Sequence, residues 1–429
     1  MPYNRRMSED PREYDIIILG SGPAGISTAL HLAQVAPELV SRTLILEKEK
    51  HPRHKLCGGG ILADGEVLLH RLGLDLAEIP HCDVDWAKFE FNGRAPGEPG
   101  QGMKMRCEED GTYAFRTIQR EEFDGWLVGK ARERGVQIEE GVKVTGVIRE
   151  KGGVRLETDR GDFWGKVVVG ADGSNSLVRR AVLPIEKAHS ARALEVVTPL
   201  GGRSEKGKQD ATFDFWVVKR GIRGYTWDFP GKRDGKEVRV RGVYDANTGG
   251  RAPGISLMEA LGEELRRHGL DLEDYEAQGF PIRWFEPRST FSAAHILLVG
   301  DAAGVDALVG EGISMSLGYG EVAARVLWEA FAKGDFSFSG YKRAVMCSSM
   351  GRALRWRNWL AKVFYRVQSR RLQGFFWGRL GAAIEWVVRR VVIGWAKRKN
   401  YEKRNTKNEG AEWETKRRWV EKLTTDEPR

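Results

Sequence analysis

Cysteine is scarce in this chain: Cys57, Cys82, Cys107 and Cys347 are the only four in 429 residues, and none stands in a C-x-x-C pair. A disulfide framework and a cysteine zinc site are therefore excluded, no metal is expected, and a reducing compartment is the default. Long hydrophobic runs are missing too. The first apolar stretch, 16–19, is far too short to cross a bilayer, and residues 1–14 lack the apolar core of a secretion signal, so the chain reads as cytoplasmic. Proline is sparse beside glycine, 15 against 52, which argues for tight turns and close backbone approaches and against low-complexity disorder. Neither a fixed-period repeat nor a second dinucleotide fingerprint occurs.

The net charge of +9 is unevenly placed. Residues 341–429 carry 23 Lys and Arg against 8 Asp and Glu, a net of +15, which leaves the first 340 residues at −6. An acidic body with a basic tail calls for an anionic partner, either nucleic acid or an anionic membrane. At this length two or three domains are expected.

Residues 15–19 (DIIIL) read as a buried parallel strand. Gly20-Ser21-Gly22-Pro23-Ala24-Gly25 then opens a helix to about Val35, and residues 43–47 (TLILE) form the next strand of a βαβ unit. In such a unit Gly20 permits the tight turn, Gly22 lets the backbone approach a pyrophosphate, and Gly25 lets helix and strand close on each other. The helix N-terminus at Ala24 faces the anion. Glu47 would accept hydrogen bonds from the adenosine ribose and repel a 2′-phosphate, so the nucleotide is FAD or NAD and not NADP. Downstream, the pattern gives a helix over 123–134 and strands over 136–138, 142–149 and 154–158. Two more buried strands, 163–170 and 295–299, run into the loops Asp172-Gly173 and Gly300-Asp301. Between them, 211–218, 224–229 and 238–243 read as antiparallel strands covering a site. From residue 340 onward the pattern is helical, basic and rich in Trp.

The fingerprint and the two Asp-Gly-type loops, in this order, resemble the flavoprotein group typified by p-hydroxybenzoate hydroxylase, over about residues 15–330. That resemblance implies FAD, with Arg120, Asp172, Gly173, Gly300 and Asp301 beside it. Lys55-Leu56-Cys57-Gly58-Gly59-Gly60 and the run 224–230 (GYTWDFP) look like the K-x-C-G-G and Y-x-W-x-F-P signatures of geranylgeranyl reductases, which saturate double bonds in isoprenoid chains. Gly310-Glu311-Gly312-Ile313 looks like the flavin loop of that family. One departure is visible: Ala307 stands where the family has proline, which bears on the rigidity of the loop beside the flavin.

The implied fold is α/β. A Rossmann-like FAD-binding domain is built from 13–80, 115–185 and 290–335, an antiparallel β-sheet substrate domain from 81–114 and 186–289, and a C-terminal helical region from 336–429. The implied activity is an FAD-dependent oxidoreductase acting on the C=C bonds of an isoprenoid lipid or prenyl diphosphate. NAD(P)H or a partner protein such as reduced ferredoxin would be the electron donor. Two other functions remain open on the same residues: an aromatic monooxygenase or halogenase of this fold, and a non-catalytic, membrane-associated flavin protein.

Several site residues carry two readings. Asp301 either bonds the ribityl or pyrophosphate region or caps a helix. Gly310, Gly312 and Ile313 either turn N–H groups to the flavin's pyrimidine edge, where charge collects on reduction, or simply lead a loop into a helix. Asp172-Gly173 is a cofactor loop or an ordinary turn. Arg120 contacts FAD or pairs in solvent with Glu122 or Asp124. Cys57 is an inert buried thiol or the acid that protonates an electron-rich alkene as hydride arrives, since a thiol stays protonated at neutral pH. Lys55, beside it, is a surface residue or a contact to a substrate diphosphate. Tyr225, Trp227 and Phe229 share one face of a strand, as a wall for a long apolar substrate or as plain core.

In the tail, Trp356, Trp359, Phe364, Tyr365, Phe375, Phe376, Trp377, Trp386 and Trp395 interleave with arginines and lysines, and 7 of the 14 Trp lie beyond residue 340. Such helices suit the inner face of an anionic membrane, lying on it and not spanning it. The alternative is a helical domain packed on the body. Nucleic acid is not expected, since nothing else in the chain reads bases.

Overall fold

The computed structural model describes residues 10–55, 57–90, 102–106, 113–182, 189–200, 207, 209–248 and 253–366, together with 386, 389 and 393–396. Its first layer is an eight-stranded sheet. Arg12–Leu19 lies at its centre, parallel to Thr43–Glu47 on one side and to Phe163–Gly170 on the other. Gln137–Glu140 and Ile296–Leu298 extend the parallel order outward. Ile16, Ile17 and Ile18 are wholly buried, which is why this strand reads as an unbroken apolar run and not as an alternation.

Helix Pro23–Val35 follows the central strand directly and packs along helix Ile313–Lys333. Gly320 makes that packing tight: a Cβ there would stand 2.3 Å from the Ser27 hydroxyl. The Ser27 hydroxyl in turn donates to the Leu317 carbonyl at 2.8 Å. The C-terminal end of the parallel sheet and the N-terminal ends of these two helices consequently point at the same space.

The second layer is a seven-stranded sheet, ordered Gln278–Arg283, Ser190–Thr198, Lys236–Asp245, Gly224–Arg233, Ala211–Asp214, Ala87–Glu90 and Gly102–Met105. It is antiparallel except where Ala211–Asp214 meets Ala87–Glu90. One face packs on helix Leu257–Arg267 through Val196, Val243, Leu261 and Leu265, and the other looks back toward the first layer. The strand expected over 211–218 stops at Asp214. There the Asp214 carboxylate accepts the Trp216 N–H at 3.0 Å, a 3-10 helix Phe215–Arg220 begins, and Gly221 at φ +89° closes it. A side-chain cap outcompeted the β-prone residues Phe215 to Val218. Similarly, the helix expected over 123–134 begins earlier and runs Arg120–Glu133.

Helices Tyr341–Cys347 and Ser349–Phe364 are not a tail. Tyr341, Val345, Met350 and Leu354 belong to the main core, and the Tyr341 hydroxyl donates to the Leu298 carbonyl at 2.9 Å. Farther on, the buried Asp64 carboxylate accepts the N–H groups of Gly394 and Ala396 at 2.8 and 2.6 Å. Of the tail aromatics, Tyr365 and Trp395 are buried whereas Trp356, Trp359 and Trp386 are exposed. Phe375, Phe376 and Trp377 lie outside the described residues. Among the described residues no helix is long and apolar enough to cross a membrane.

Candidate cofactor and substrate cavity

Between the two layers runs one continuous cavity of about 1400 Å³. Sixteen of the eighteen residues singled out from the sequence line it: Gly20, Gly22, Ala24 and Glu47 at one end, Asp172, Gly173, Asp301, Gly310, Gly312 and Ile313 along one side, Lys55, Cys57 and Arg120 midway, and Tyr225, Trp227 and Phe229 at the far wall. Gly25 and Gly300 do not reach the cavity; they permit its walls to close. A Cβ on Gly25 would stand 2.0 Å from the Gly20 carbonyl oxygen, and Gly300, at φ +57°, leaves no room for a Cβ beside that of Ala24.

The nucleotide end fits an FAD-type dinucleotide. At Gly22 a Cβ would meet only the Arg53 guanidinium, at 3.7 Å, so the space over the loop is open. No side chain caps helix Pro23–Val35, whose first N–H groups therefore face that space. Arg53 reaches over the loop: its Nη2 lies 3.1 Å from the Asp124 carboxylate, and its buried Nε has no hydrogen-bond partner. A phosphate oxygen would satisfy that group. Glu47 accepts the N–H and hydroxyl of Ser21 at 2.9 and 2.8 Å and the Glu49 N–H at 3.1 Å. Although burial opposes its charge, Arg53 and these donors hold its carboxyl below the usual range, so it is ionised at neutral pH, as an acceptor for ribose hydroxyls would have to be.

Both aspartates line the cavity, and of the two it is Asp172 that caps a helix. Asp301 caps no helix; its carboxylate accepts the Ser174 hydroxyl at 3.0 Å. Asp172 is the cap, accepting the N–H groups of Leu177 and Val178. Its other oxygen, Oδ1, is buried without a hydrogen-bond partner, and burial raises its pKa. Arg120 is not solvated: it grips Asp124 through two bonds of 2.8 and 2.9 Å and also hydrogen-bonds the Cys57 sulfur.

The flavin-side loop 305–311 is held from several directions. Asp306, fully buried, accepts the N–H groups of Leu308, Val309 and Glu311. The hydroxyls of Tyr244, Tyr365 and Tyr225 donate to the carbonyls of Ala307, Leu308 and Val309. Arg357, from helix Ser349–Phe364, pairs with Asp306 at 3.1 Å and Glu311 at 3.3 Å. These bonds supply the rigidity that the family's proline would otherwise give at Ala307.

The Cys57 loop closes onto the aromatic wall. A Cβ on Gly58 would stand 3.2 Å from Trp227 Nε1 and 3.3 Å from the Phe229 ring, so only glycine lets the loop approach this far. The wall is both core and lining: Tyr225, Trp227 and Phe229 are nearly buried, with neighbouring ring centroids 6.3 and 6.4 Å apart, and Trp227 Nε1 has no partner. Burial pushes the Cys57 thiol up, so it stays protonated at neutral pH. Lys55 sits midway, with Nζ 4.0 Å over the Phe280 ring of the second sheet, while Arg120, Asp301, Arg53 and Asp124 act on its charge. Burial lowers its pKa first, and the nearby arginines add to that.

The sequence reading missed Arg53, Arg357 and Glu195, whereas Asp124 is one of the two partners it allowed for Arg120. Glu195 lines the cavity from strand Ser190–Thr198 and carries no motif. Arg53, two residues before Lys55, was within reach of the sequence as a basic residue next to the Cys57 signature. Among the described residues no group of acidic, histidine or cysteine side chains is arranged to hold a metal.

Comparison with known proteins agrees with this geometry. The family model described as "FAD binding domain" matches residues 13–313. A digeranylgeranylglycerophospholipid reductase from Methanosphaerula palustris is 27% identical over 367 residues, covering 83% of this chain and 87% of that protein. Another, from Methanopyrus kandleri, is 29% identical over 352 residues, covering 77% and 81%. The crystal structure of a geranylgeranyl bacteriochlorophyll reductase-like protein from Thermoplasma acidophilum superposes with a TM-score of 0.69 at 21% identity, covering 86% of this chain and 91% of that one. A halogenase solved with FAD shares the fold at a TM-score of 0.64 and 16% identity, covering 86% and 79%. The chain thus belongs to the FAD binding domain family, as an FAD-dependent oxidoreductase similar to geranylgeranyl reductases.

Proposed function

We propose that this protein reduces isolated C=C bonds in the isoprenoid chain of a lipid or prenyl diphosphate, with Cys57 as the proton donor. The observation that carries this reading is the closure of the Cys57 loop on the aromatic wall inside the cofactor's own cavity. An isolated alkene is a poor hydride acceptor, so a proton must arrive at one carbon as hydride reaches the other. FAD, once bound and reduced, supplies the hydride. Gly22, Arg53 and Glu47 would hold its nucleotide half, and Asp301, Gly312 and Ile313 would line its flavin half. Tyr225, Trp227 and Phe229 would align the apolar chain and exclude water, while the buried thiol of Cys57 keeps its proton until the alkene draws it. Lys55, midway along the cavity and over the Phe280 ring of the second sheet, would meet a phosphate of the substrate or of the cofactor. The sequence similarity to digeranylgeranylglycerophospholipid reductases supports an isoprenoid substrate.

Access fits a lipid. Leu360, Val363 and Phe364 of helix Ser349–Phe364 line the cavity, and Trp356, Trp359 and Val363 on the same helix are 58%, 54% and 47% exposed. Arg355 and Arg366 are exposed beside them. An apolar chain could thus pass from an anionic inner-membrane surface into the cavity past this helix. The test is anaerobic: flavin reduced by dithionite on the full-length protein is expected to reoxidise when a geranylgeranylated lipid is added and not when its saturated analogue is added. Reduced flavin indifferent to both would overturn the reading. NAD(P)H and reduced ferredoxin, offered separately, distinguish the electron donors.

A further inference from the structure

The wall facing the Cys57 loop contains one carboxyl group that belongs to no motif. Glu195 is 6% exposed and lines the cavity with Ala193, whereas Leu194 and Val196 point into the core behind the sheet. Pairing across the sheet sets Glu195 opposite Gly242 and Gly242 opposite Trp227. Because Gly242 has no side chain, the Trp227 ring lies over it; a Cβ there would stand 2.2 Å from the ring. Glu195 and the aromatic wall therefore share one face and one row.

Two groups act on this carboxyl from the facing elements. The Cys57 backbone N–H donates to it, and the Arg120 guanidinium, which also bonds the Cys57 sulfur, attracts it. Both act to lower its pKa, yet burial dominates and drives it up to about 7. At neutral pH it exchanges its proton, unlike the thiol beside it, which burial holds above the usual 9.0. A proton passed from the carboxyl to a thiolate at Cys57 would run downhill.

We propose that Glu195 returns the proton that Cys57 loses in each reduction, a positioning and relay role that rests on the reductase reading above. As the alkene takes hydride at one carbon, the Cys57 S–H bond breaks and a C–H bond forms at the other. The thiolate, held by Arg120, then takes the Glu195 proton, and the carboxylate regains one from water. No oxidant or reductant beyond the reduced flavin is needed. The protonated carboxyl can accept the Cys57 N–H through its carbonyl oxygen, so the loop need not move between the two states.

Glu195→Gln keeps the shape and the acceptor for the Cys57 N–H but carries no exchangeable acid. Peptide-resolved iodoacetamide labelling of Cys57, on FAD-loaded full-length protein without substrate, reads the thiolate as a function of pH. Wild-type protein is expected to show an inflection near 7 as the neighbouring carboxyl ionises, and Glu195→Gln is expected to lack it. Glu195→Asp, which can still titrate, is expected to restore an inflection. With substrate, Glu195→Gln is expected to lose about tenfold or more in steady-state reduction, and more there than in the first turnover. An identical labelling profile in wild type and Glu195→Gln would overturn the relay whatever the substrate does. Flavin that no isoprenoid lipid reoxidises, in protein whose Cys57 labelling does follow Glu195, would instead overturn the reductase reading.

Discussion

At the scale of single residues, the proposed chemistry turns on how burial treats a thiol. Cys57 lies where desolvation outweighs the attraction of Arg120, so its proton is retained until an acceptor draws it. Cys57→Ser is therefore expected to keep FAD and slow alkene-driven flavin reoxidation about tenfold or more, because a hydroxyl of similar size is a much weaker acid. Unchanged single-turnover reoxidation in stopped flow would remove Cys57 from the step. A second residue-scale expectation concerns Arg53, whose Nε lies 3.8 Å from the Glu47 carboxylate without a hydrogen bond and would suit a phosphate over the glycine loop. Arg53→Lys, which keeps a positive charge beside Asp124 and Glu47 but removes the guanidinium, is expected to weaken FAD binding, measured by fluorescence titration of the apoprotein. The sequence disclosed residues that act through local spacing, such as Gly20, Gly22 and Cys57. It did not disclose Glu195, because its meaning comes from sheet register: Glu195 meets Cys57, with 137 residues between them, only once the sheet has formed, and an isolated Glu on a strand carries no spacing signal.

At the scale of elements, loop 305–311 is held in place by a helix that the charge pattern assigned to a basic tail. Arg357 was legible only as one more basic residue of a Trp-rich segment, yet it is fully buried against Asp306 and Glu311. Removing one member of a buried ionic cluster leaves the others uncompensated and costs about 3–5 kcal/mol. Arg357→Met is accordingly expected to lower the urea-unfolding free energy by about that amount and to weaken FAD binding through the loop. A stability within about 0.5 kcal/mol of wild type would show that Asp306 and Glu311 are satisfied without it. Strands with unbroken apolar runs, such as Arg12–Leu19 and Phe163–Gly170, were legible because burial on both faces leaves no other pattern. The end of Ala211–Asp214 was not, since it depends on a single carboxylate capping Trp216 against the propensity of four β-prone residues.

At the scale of the whole molecule, charge asymmetry suggested an acidic body and a detachable basic tail, and the core contradicts the second half of that description. Tyr341, Val345, Met350 and Leu354 fill the main core, and Asp64 binds the segment at 394–396. Truncation after residue 339 is thus expected to yield protein that neither retains FAD nor unfolds cooperatively, where a separable tail would leave both intact. Membrane attachment has to be tested by a gentler change. Trp356 and Trp359 stack edge to face with centroids 5.8 Å apart, and both are more than half exposed beside the cavity-lining Leu360 and Val363. Exposed Trp on a helix with basic neighbours inserts at headgroup depth, and each basic side chain near an anionic surface adds about 1 kcal/mol. The double substitution Trp356→Ala and Trp359→Ala touches no bond to the flavin-side loop, so FAD and the thermal midpoint are expected to be retained. Sedimentation with phosphatidylglycerol vesicles is expected to fall at least about tenfold in apparent affinity. Wild-type binding should itself weaken as salt rises, because charge at a surface is screened within about 10 Å at 0.1 M ionic strength. Equal sedimentation of both proteins at low salt would move the membrane contact to another surface and leave the Trp pair without a role at the cavity mouth.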